Sequence, residues 1–307
     1  MVCEEMRCLA CKKAVEIKIL YPFCRECFLK HYEERVQRLI RRFKLLVKGD
    51  RLLMAVSGGK DSLSCANLLS RLREIFNFQM EVVHIDVGIS ECTNFRTESV
   101  VRKFCEERDL KFHFVRLQDL LGVNGDLKTL FKKVRRPLCS TCGMLKRYAL
   151  NKFAREKKFN KIATGHCADD ITRFFFKNWF SQNFDWIAKF KPLTPSSHPK
   201  VVARIRPLFE CLEAENLAYA KFNNIVIAGC SRCSYFLRKD KWNDLLQLVD
   251  ERRPDFKLNI VRGLEKIEIK IKKSPRVLKE CSSCGEPTDQ EICAVCRIKA
   301  RLQGLNS

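Results

Sequence analysis

A chain of 307 residues, 46% of them hydrophobic, is long enough for one substantial α/β domain with small appendages. Its 59 Lys and Arg against 36 Asp and Glu leave a net charge of +23, an excess that points to a polyanionic partner, most simply nucleic acid. No run of about 18 uncharged apolar residues occurs, which excludes a helical membrane span.

The first stretch, MVCEEMRCLACKK, has acids and cysteines where a signal peptide would have a basic start and an apolar core. A reducing, cytoplasmic setting is therefore expected, and there the 18 cysteines mean metal or chemistry rather than disulfides. Cys8-x-x-Cys11 and Cys24-x-x-Cys27 place pairs of thiolates on tight turns, and two such turns complete a tetrahedral Zn²⁺ site. Residues 1–32 thus read as an N-terminal zinc finger. Four protein ligands leave no open position, so the site is structural. A redox role for these CxxC pairs fits less well, because they do not sit at a strand–helix junction.

Residues 33–50 read as a linker helix, with Val36, Leu39, Ile40, Phe43 and Leu46 on one face. Arg38, Arg41, Arg42 and Lys44 decorate the remainder, either as a solvated face or as an RNA contact. From residue 51 to about 270, strand-like runs alternate with helical ones. LLMAV leads to a helix reaching about Leu72; EVVHIDV leads to a helix through Val100 and Phe104; KFHFVRL is followed by a loop. A helix from about Thr141 to Lys157 and the strand KIATG come next. This alternation predicts βαβ units and a mostly parallel sheet, with ligands bound beyond the carboxyl ends of the strands.

The segment RRPLCSTCGMLKRYAL places Cys139 and Cys142 at the start of a basic helix with no second CxxC nearby. Cys230 or Cys233, in IAGCSRCSYF, could complete a site. Iron–sulfur cluster, zinc and a catalytic thiol pair all remain open on spacing alone. KPLTPSSHPK reads as an exposed loop, RIRPLFECLEAENLAYAKF as a strand and a helix, and RKDKWNDLLQLVDERRPDF as a helix ending near Pro254. The charged linker EKIEIKIKKSPR leads to Cys281-x-x-Cys284 and Cys293-x-x-Cys296, a second zinc finger over residues 275–307.

Ser57-Gly58-Gly59-Lys60-Asp61-Ser62 follows the first strand of the sheet and enters a helix. It lacks the GxxxxGK[ST] spacing of a Walker loop. Adjacent glycines let backbone N–H groups approach an anion, and the helix N-terminus adds partial positive charge. Lys60 can neutralise phosphate, whereas Asp61 would repel it unless Mg²⁺ intervened, so a metal-bridged pyrophosphate is the natural ligand.

These residues resemble the PP-loop of the ATP pyrophosphatases. TGHCADD resembles the second motif of that family, GHNxDD, and RIRPL resembles a third. Together with RRPLCSTCG, the late cysteine and the two terminal zinc knuckles, the chain is similar end to end to the PP-loop tRNA 2-thiolation enzymes, on the TtuA-like side. The resemblance implies an adenine-nucleotide alpha-hydrolase-like parallel sheet flanked by zinc fingers. It implies adenylation of the 2-carbonyl of a tRNA uridine by ATP, releasing pyrophosphate, and sulfur transfer through a [4Fe-4S] cluster, with position 54 favoured over wobble position 34. A PP-loop synthetase acting on a small molecule is the further alternative.

By the same resemblance Ser57, Gly58, Gly59, Lys60, Asp61 and Ser62 hold the phosphates, while Ala55, Ile85 and Gly165 line the adenosine pocket. Cys139, Cys142 and Cys230 would hold the cluster, and Lys146 and Asp170 would lie near the reaction centre. The implied cofactors are ATP, Mg²⁺, the cluster and two Zn²⁺. The implied partners are tRNA, a second copy of the chain, and a sulfur donor, either a ubiquitin-like thiocarboxylate protein or sulfide. Two departures stand out: Cys167 occupies the Asn position of GHNxDD, and GCSRCSY offers Cys233 as a competing ligand.

Overall fold

The computed structural model describes residues 6–89, 95–124, 127–134, 136–228, 241–266 and 278–304. Two short antiparallel strands, β1 (Ile17–Lys18) and β2 (Pro22–Phe23), lead into the long helix α1 (Arg25–Arg42). The main domain then runs β3 (Arg51–Ala55), α2 (Lys60–Phe76), β4 (Gln79–Asp86), α3 (Phe95–Glu106) and β5 (Phe112–Arg116). Short helices α4 (Leu117–Leu121) and α5 (Leu127–Phe131) precede α6 (Leu138–Glu156), β6 (Lys161–Thr164) and α7 (Ala168–Phe180). After α8 (Phe184–Ile187) come β7 (Leu193–Thr194), β8 (Ala203–Ile205) and α9 (Glu213–Phe222). Helices α10 (Lys241–Arg252) and α11 (Phe256–Lys266) follow. The C-terminal module holds β9 (Lys279–Glu280), β10 (Pro287–Thr288) and α12 (Ala294–Leu302).

The sheet has the order β5-β4-β3-β6-β8-β7 and is parallel apart from the edge strand β7. β3 sits in the middle because the chain first winds outward through β4 and β5, then returns to lay β6 on its other side. The order therefore reverses between β3 and β6, and a crevice opens beyond their carboxyl ends. Strand alternation sends Leu52 and Met54 to one face, into a core shared with α1, α2, α7 and α9, and Leu53 to the other, against Leu150 and Ala154 of α6. At the amino end of the strands, buried Asp50 accepts from Lys161 Nζ at 2.7 Å and Asn160 Nδ2 at 2.9 Å, locking β3 to β6. The chemistry is left to the opposite edge.

The expected parallel α/β sheet is present. Helix α6 starts at Leu138, ahead of Thr141, so Cys139 and Cys142 lie within its first turns. KPLTPSSHPK is not wholly loop: Leu193 and Thr194 pair with β8, an edge strand of two residues being too short for periodicity to announce. Cys230, Cys233 and most of the charged linker lie outside the described residues.

Both terminal modules have the geometry of a metal site. The four sulfurs of Cys8, Cys11, Cys24 and Cys27 lie within 4.8 Å of one another, as do those of Cys281, Cys284, Cys293 and Cys296. Individual S···S separations of 3.6, 3.7 and 3.9 Å match the edge of about 3.8 Å that a tetrahedron with Zn–S near 2.3 Å requires. Burial opposes ionisation of Cys8 and Cys281, but backbone amides donating to each sulfur outweigh it and draw the pKa to about 6 in both. Such thiolates are ready ligands for a soft cation.

Candidate active site

Beyond β3 the chain turns through Ser57, Gly58 and Gly59 into α2. Gly58 has φ +83°, and a Cβ there would stand 2.7 Å from Thr97 Cγ2, so only glycine fits. Ser62 braces the turn: its Oγ donates to the Gly59 carbonyl at 3.0 Å and accepts from the Ser57 N–H at 3.1 Å. Gly59 is the N-cap of α2 and supplies no side-chain cap. The first amides of a 17-residue helix are thereby left for an anion.

The Lys60 Nζ contacts Asp61 Oδ2 at 3.0 Å and Glu213 Oε1 at 2.5 Å. Burial works against its charge, but Asp61 and Glu213 outweigh it and raise its pKa. Asp61 is itself held above the usual carboxylate range, mainly by burial, with the Asp170 charge adding to the shift against Lys60 and Asn216. Asn216 Nδ2 fixes the carboxylate by donating to Asp61 Oδ1 at 2.8 Å. Glu213 and Asn216 both come from the first turn and a half of α9, and motif reading had not singled them out.

The TGHCADD segment approaches from β6. Gly165 presses on the phosphate turn: a Cβ at this position would lie 2.7 Å from Ser62 Cα and 2.8 Å from Ser62 N. Cys167 caps α7, buried, with the Asp170 carboxylate folded back onto its amide at 3.3 Å. Cys167 thus serves as a small buried residue at the N-cap of α7.

The two adjacent aspartates divide their work. Asp169 is buried and structural: its Oδ2 accepts from the Glu213 N–H at 2.6 Å and its Oδ1 from Lys257 Nζ at 2.5 Å, tying α7 to α9 and α11. Asp170 faces Arg173, whose Nη2 donates at 3.2 Å, and burial holds its pKa up with help from Glu213 and Asp169.

Ile85 precedes the carboxyl end of β4 and packs beside Ala55 of β3 in the core under α6. Its neighbour His84 is buried, donates from Nδ1 to the Val56 carbonyl at 2.8 Å and carries a lowered pKa, chiefly from burial. Cys139 and Cys142, half-buried, share the first turns of α6, where the helix dipole favours thiolate. Lys146 follows Cys142 by one turn on the same helix, half-buried. The structure thus gathers the phosphate turn, Gly165 and Asp170 around one crevice. It leaves the third cysteine outside the described residues.

The PP-loop domain family model matches residues 29–228. A "tRNA-5-methyluridine(54) 2-sulfurtransferase" of Pyrococcus horikoshii is 37% identical, over 98% of this chain and 96% of that one. A protein of the same name from Thermus thermophilus is 33% identical over 95% and 91%. Among solved structures, the U34-tRNA thiolase NcsA of Methanococcus maripaludis, with its [4Fe-4S] cluster, aligns at a TM-score of 0.78 and 30% identity, covering 95% of each chain.

Proposed function

Since the chain belongs to the PP-loop family of tRNA 2-sulfurtransferases, we propose that it replaces the 2-oxygen of uridine or 5-methyluridine at tRNA position 54 by sulfur. The observation that carries this reading is the contact of Gly165 with the Ser62 backbone, which brings the ADD helix onto a phosphate turn built for pyrophosphate.

In this reading the amides of Gly59 to Ser62 and the Lys60 ammonium receive the β- and γ-phosphates. Asp61, held by Asn216, and Asp170 supply carboxylates for Mg²⁺; their mutual repulsion and partial burial suit a cation between phosphate and protein. The uridine 2-carbonyl oxygen attacks the α-phosphorus, the α–β bridging bond breaks, and pyrophosphate leaves with its negative charge. A poor leaving group has become AMP, and sulfide then forms the C–S bond as AMP departs. Proximity of two bound substrates supplies much of the rate. By the family resemblance, Lys146 and Asp170 take the roles of charge stabilisation and proton transfer in that exchange.

Cys139 and Cys142 fit two corners of a cluster, being half-buried thiols one helical turn apart at a helix N-terminus, with Cys230 as the third ligand. When bound, a cluster with three protein thiolates offers one iron to a sulfur ligand from outside. The terminal knuckles hold two structural Zn²⁺. Free sulfide or a protein thiocarboxylate is the donor, and the enzyme works as a homodimer.

Mass spectrometry of tRNA from a strain lacking the gene tests the reading. Loss of 2-thiolation at position 54 is expected. Loss confined to position 34 would transfer the assignment to the wobble uridine, the site of the NcsA thiolase. Pyrophosphate release that needs no tRNA would point instead to a small-molecule synthetase.

A further inference from the structure

Beside the nucleotide turn, the carboxyl ends of β6 and β8 carry a group of cations that the phosphate turn does not use. Arg204 lies on β8 opposite Ile162 of β6, and Arg206 follows directly after the last residue of that strand. Arg147 enters from α6. Arg204 Nη2 donates to the Arg147 carbonyl at 3.1 Å, while Arg206 Nη1 donates to the Lys191 carbonyl at 2.7 Å and to Thr194 Oγ1 at 2.9 Å. These bonds to uncharged groups hold the side chains without neutralising them.

Among the described residues, no carboxylate forms an ion pair with any of the three guanidiniums, and the opposing charge beside Arg147 is the Cys142 thiolate. Burial lowers the pKa of Arg206 to about 10, and burial followed by the charges of Arg147 and Arg206 does the same to Arg204. Arg147 is lowered by burial as well. His166, directly after Gly165, reports the same field: burial first, then Arg206, Arg147, Arg204 and Arg173, bring its pKa to about 3, so it stays neutral. Yet Arg147 is exposed and Arg204 and Arg206 are half-buried. Each of the three therefore keeps solvent-exposed surface that a ligand can reach.

The contrast with the other arginine-rich hollow of the molecule is informative. A cavity of about 860 Å³ between α1 and α11 is lined by Arg35, Arg42 and Arg262. There Arg35 pairs with Glu215, Arg42 with Glu210 and Glu265, and Arg262 with Glu210. Each of these three guanidiniums has a carboxylate partner. Like charges gathered without a carboxylate partner, by contrast, cost free energy that an anionic ligand returns.

We propose that Arg147, Arg204 and Arg206 form a cage for a backbone phosphodiester of the RNA, beside the nucleoside to be modified. The inference rests on the tRNA reading above and adds the element that registers the substrate. The nucleotide's own phosphates already have the amides of α2. Arg147 comes instead from α6, the helix that carries Cys139 and Cys142, and Arg204 from β8, the neighbour of the strand β6 that leads to Gly165. A guanidinium fork matches two non-bridging oxygens, and three forks around one phosphate fix its position rather than merely attract it.

The test uses the full chain with Arg147→Gln and, separately, Arg204→Gln. Affinity for unmodified tRNA is measured across a potassium chloride series, ATP affinity by calorimetry, thiolation as KM and kcat, and the melting temperature in parallel. Each variant should lose about one unit from the slope of log K against log salt. The KM for tRNA should rise by about tenfold, as expected for one charged hydrogen-bonding contact, with ATP affinity kept. The melting temperature should hold or rise, since a like-charge repulsion is relieved. Unchanged salt slope and KM in both variants would overturn the proposal. So would weakened ATP binding with the tRNA slope intact, which would assign the cage to a nucleotide phosphate. Failure of the wild-type chain to bind tRNA would overturn the functional reading itself.

Discussion

Gly165 and Ser62 are in backbone contact: the space a Cβ at residue 165 would need is occupied by Ser62 Cα at 2.7 Å, Ser62 N at 2.8 Å and Asp61 C at 2.9 Å. None of these is the flexible end of a side chain. One methyl group must therefore push the phosphate turn as a whole. Gly165→Ala is expected to cost about 1–3 kcal/mol of stability by overpacking, a fall of several degrees in melting temperature. ATP affinity should fall further than tRNA affinity. Calorimetric titration of both ligands against the variant checks the order.

Asp61→Asn tests the carboxylate without moving it. Asn216 Nδ2 donates to Asp61 Oδ1 at 2.8 Å, and an amide oxygen can accept the same bond. Lys60 keeps Glu213 as a partner. Folding should be preserved, while tRNA-dependent AMP formation drops by about 10²–10³-fold, the scale for removing one preorganised charge from a reaction centre. Quenched-flow measurement of AMP and pyrophosphate, with a magnesium titration, separates loss of catalysis from loss of metal affinity. Full activity would remove Asp61 from the mechanism.

Acid sensitivity should trace to the histidines. The pKa of His166 falls from an ordinary 6.5 to about 3 on folding, and that of His84 moves in the same direction. Above pH 6.5 neither chain state binds the proton. As pH drops below 6.5 the unfolded chain takes it up and the folded chain does not, so stability falls with pH. From pH 7.5 to 5.5 His166 alone should account for about 1 kcal/mol of this loss. His166→Gln should flatten the corresponding change in melting temperature; an unchanged pH slope would refute the assignment.

Metal content and stability should separate the two knuckles. Cys8 and Cys24 belong to the same buried core as Leu52 of β3 and Leu63 of α2. Cys281 and Cys293 belong to another, with Leu145 and Ala149 of α6. Cys24→Ala should lower bound zinc from two to one per chain and depress the main unfolding transition. Cys293→Ala should remove the other zinc and loosen α6, where the Arg155–Glu286 ion pair and the Tyr148–Cys284 contact hold the module. The expected consequence is reduced iron retention by Cys139 and Cys142. Elemental analysis of anaerobically purified variants measures both metals.

Glycine, charge and spacing made much of this site legible from sequence. Gly58 and Gly165 are present for steric reasons that a motif already encodes, and paired CxxC spacing names its own geometry. The supporting residues were not legible in the same way. Glu213 reaches Lys60 across 153 positions and Asn216 reaches Asp61 across 155, separations that no local pattern reports. The split between Asp169 and Asp170 depends on where Lys257 and the α9 amide lie, which the DD dipeptide leaves open. Arg204 and Arg206 were no more legible. As a strand and a third family motif RIRPL gives those arginines no role, and only the fold shows that no carboxylate among the described residues pairs with them.

Helix α1 begins at the N-terminal knuckle and lies on partners made much later. Tyr32 donates to Asn216 at 2.7 Å, and Arg35 pairs with Glu215 at 2.7 Å. During synthesis the segment 8–27 can close as soon as Cys27 has emerged, and the helix it launches finds α2 early, through Glu33 and Arg71, but its α9 partners only much later. With 184 residues separating Tyr32 from Asn216, elongation at about 5–20 residues per second imposes a wait of roughly 10–40 s. Through that interval Phe28 and Tyr32 lack the rings of Phe222 and Tyr219 that they pack against in the finished molecule. Packing of the amino-terminal helix is thus tied to the synthesis of α9, and closure of the cysteine knuckle settles only what lies ahead of Arg25.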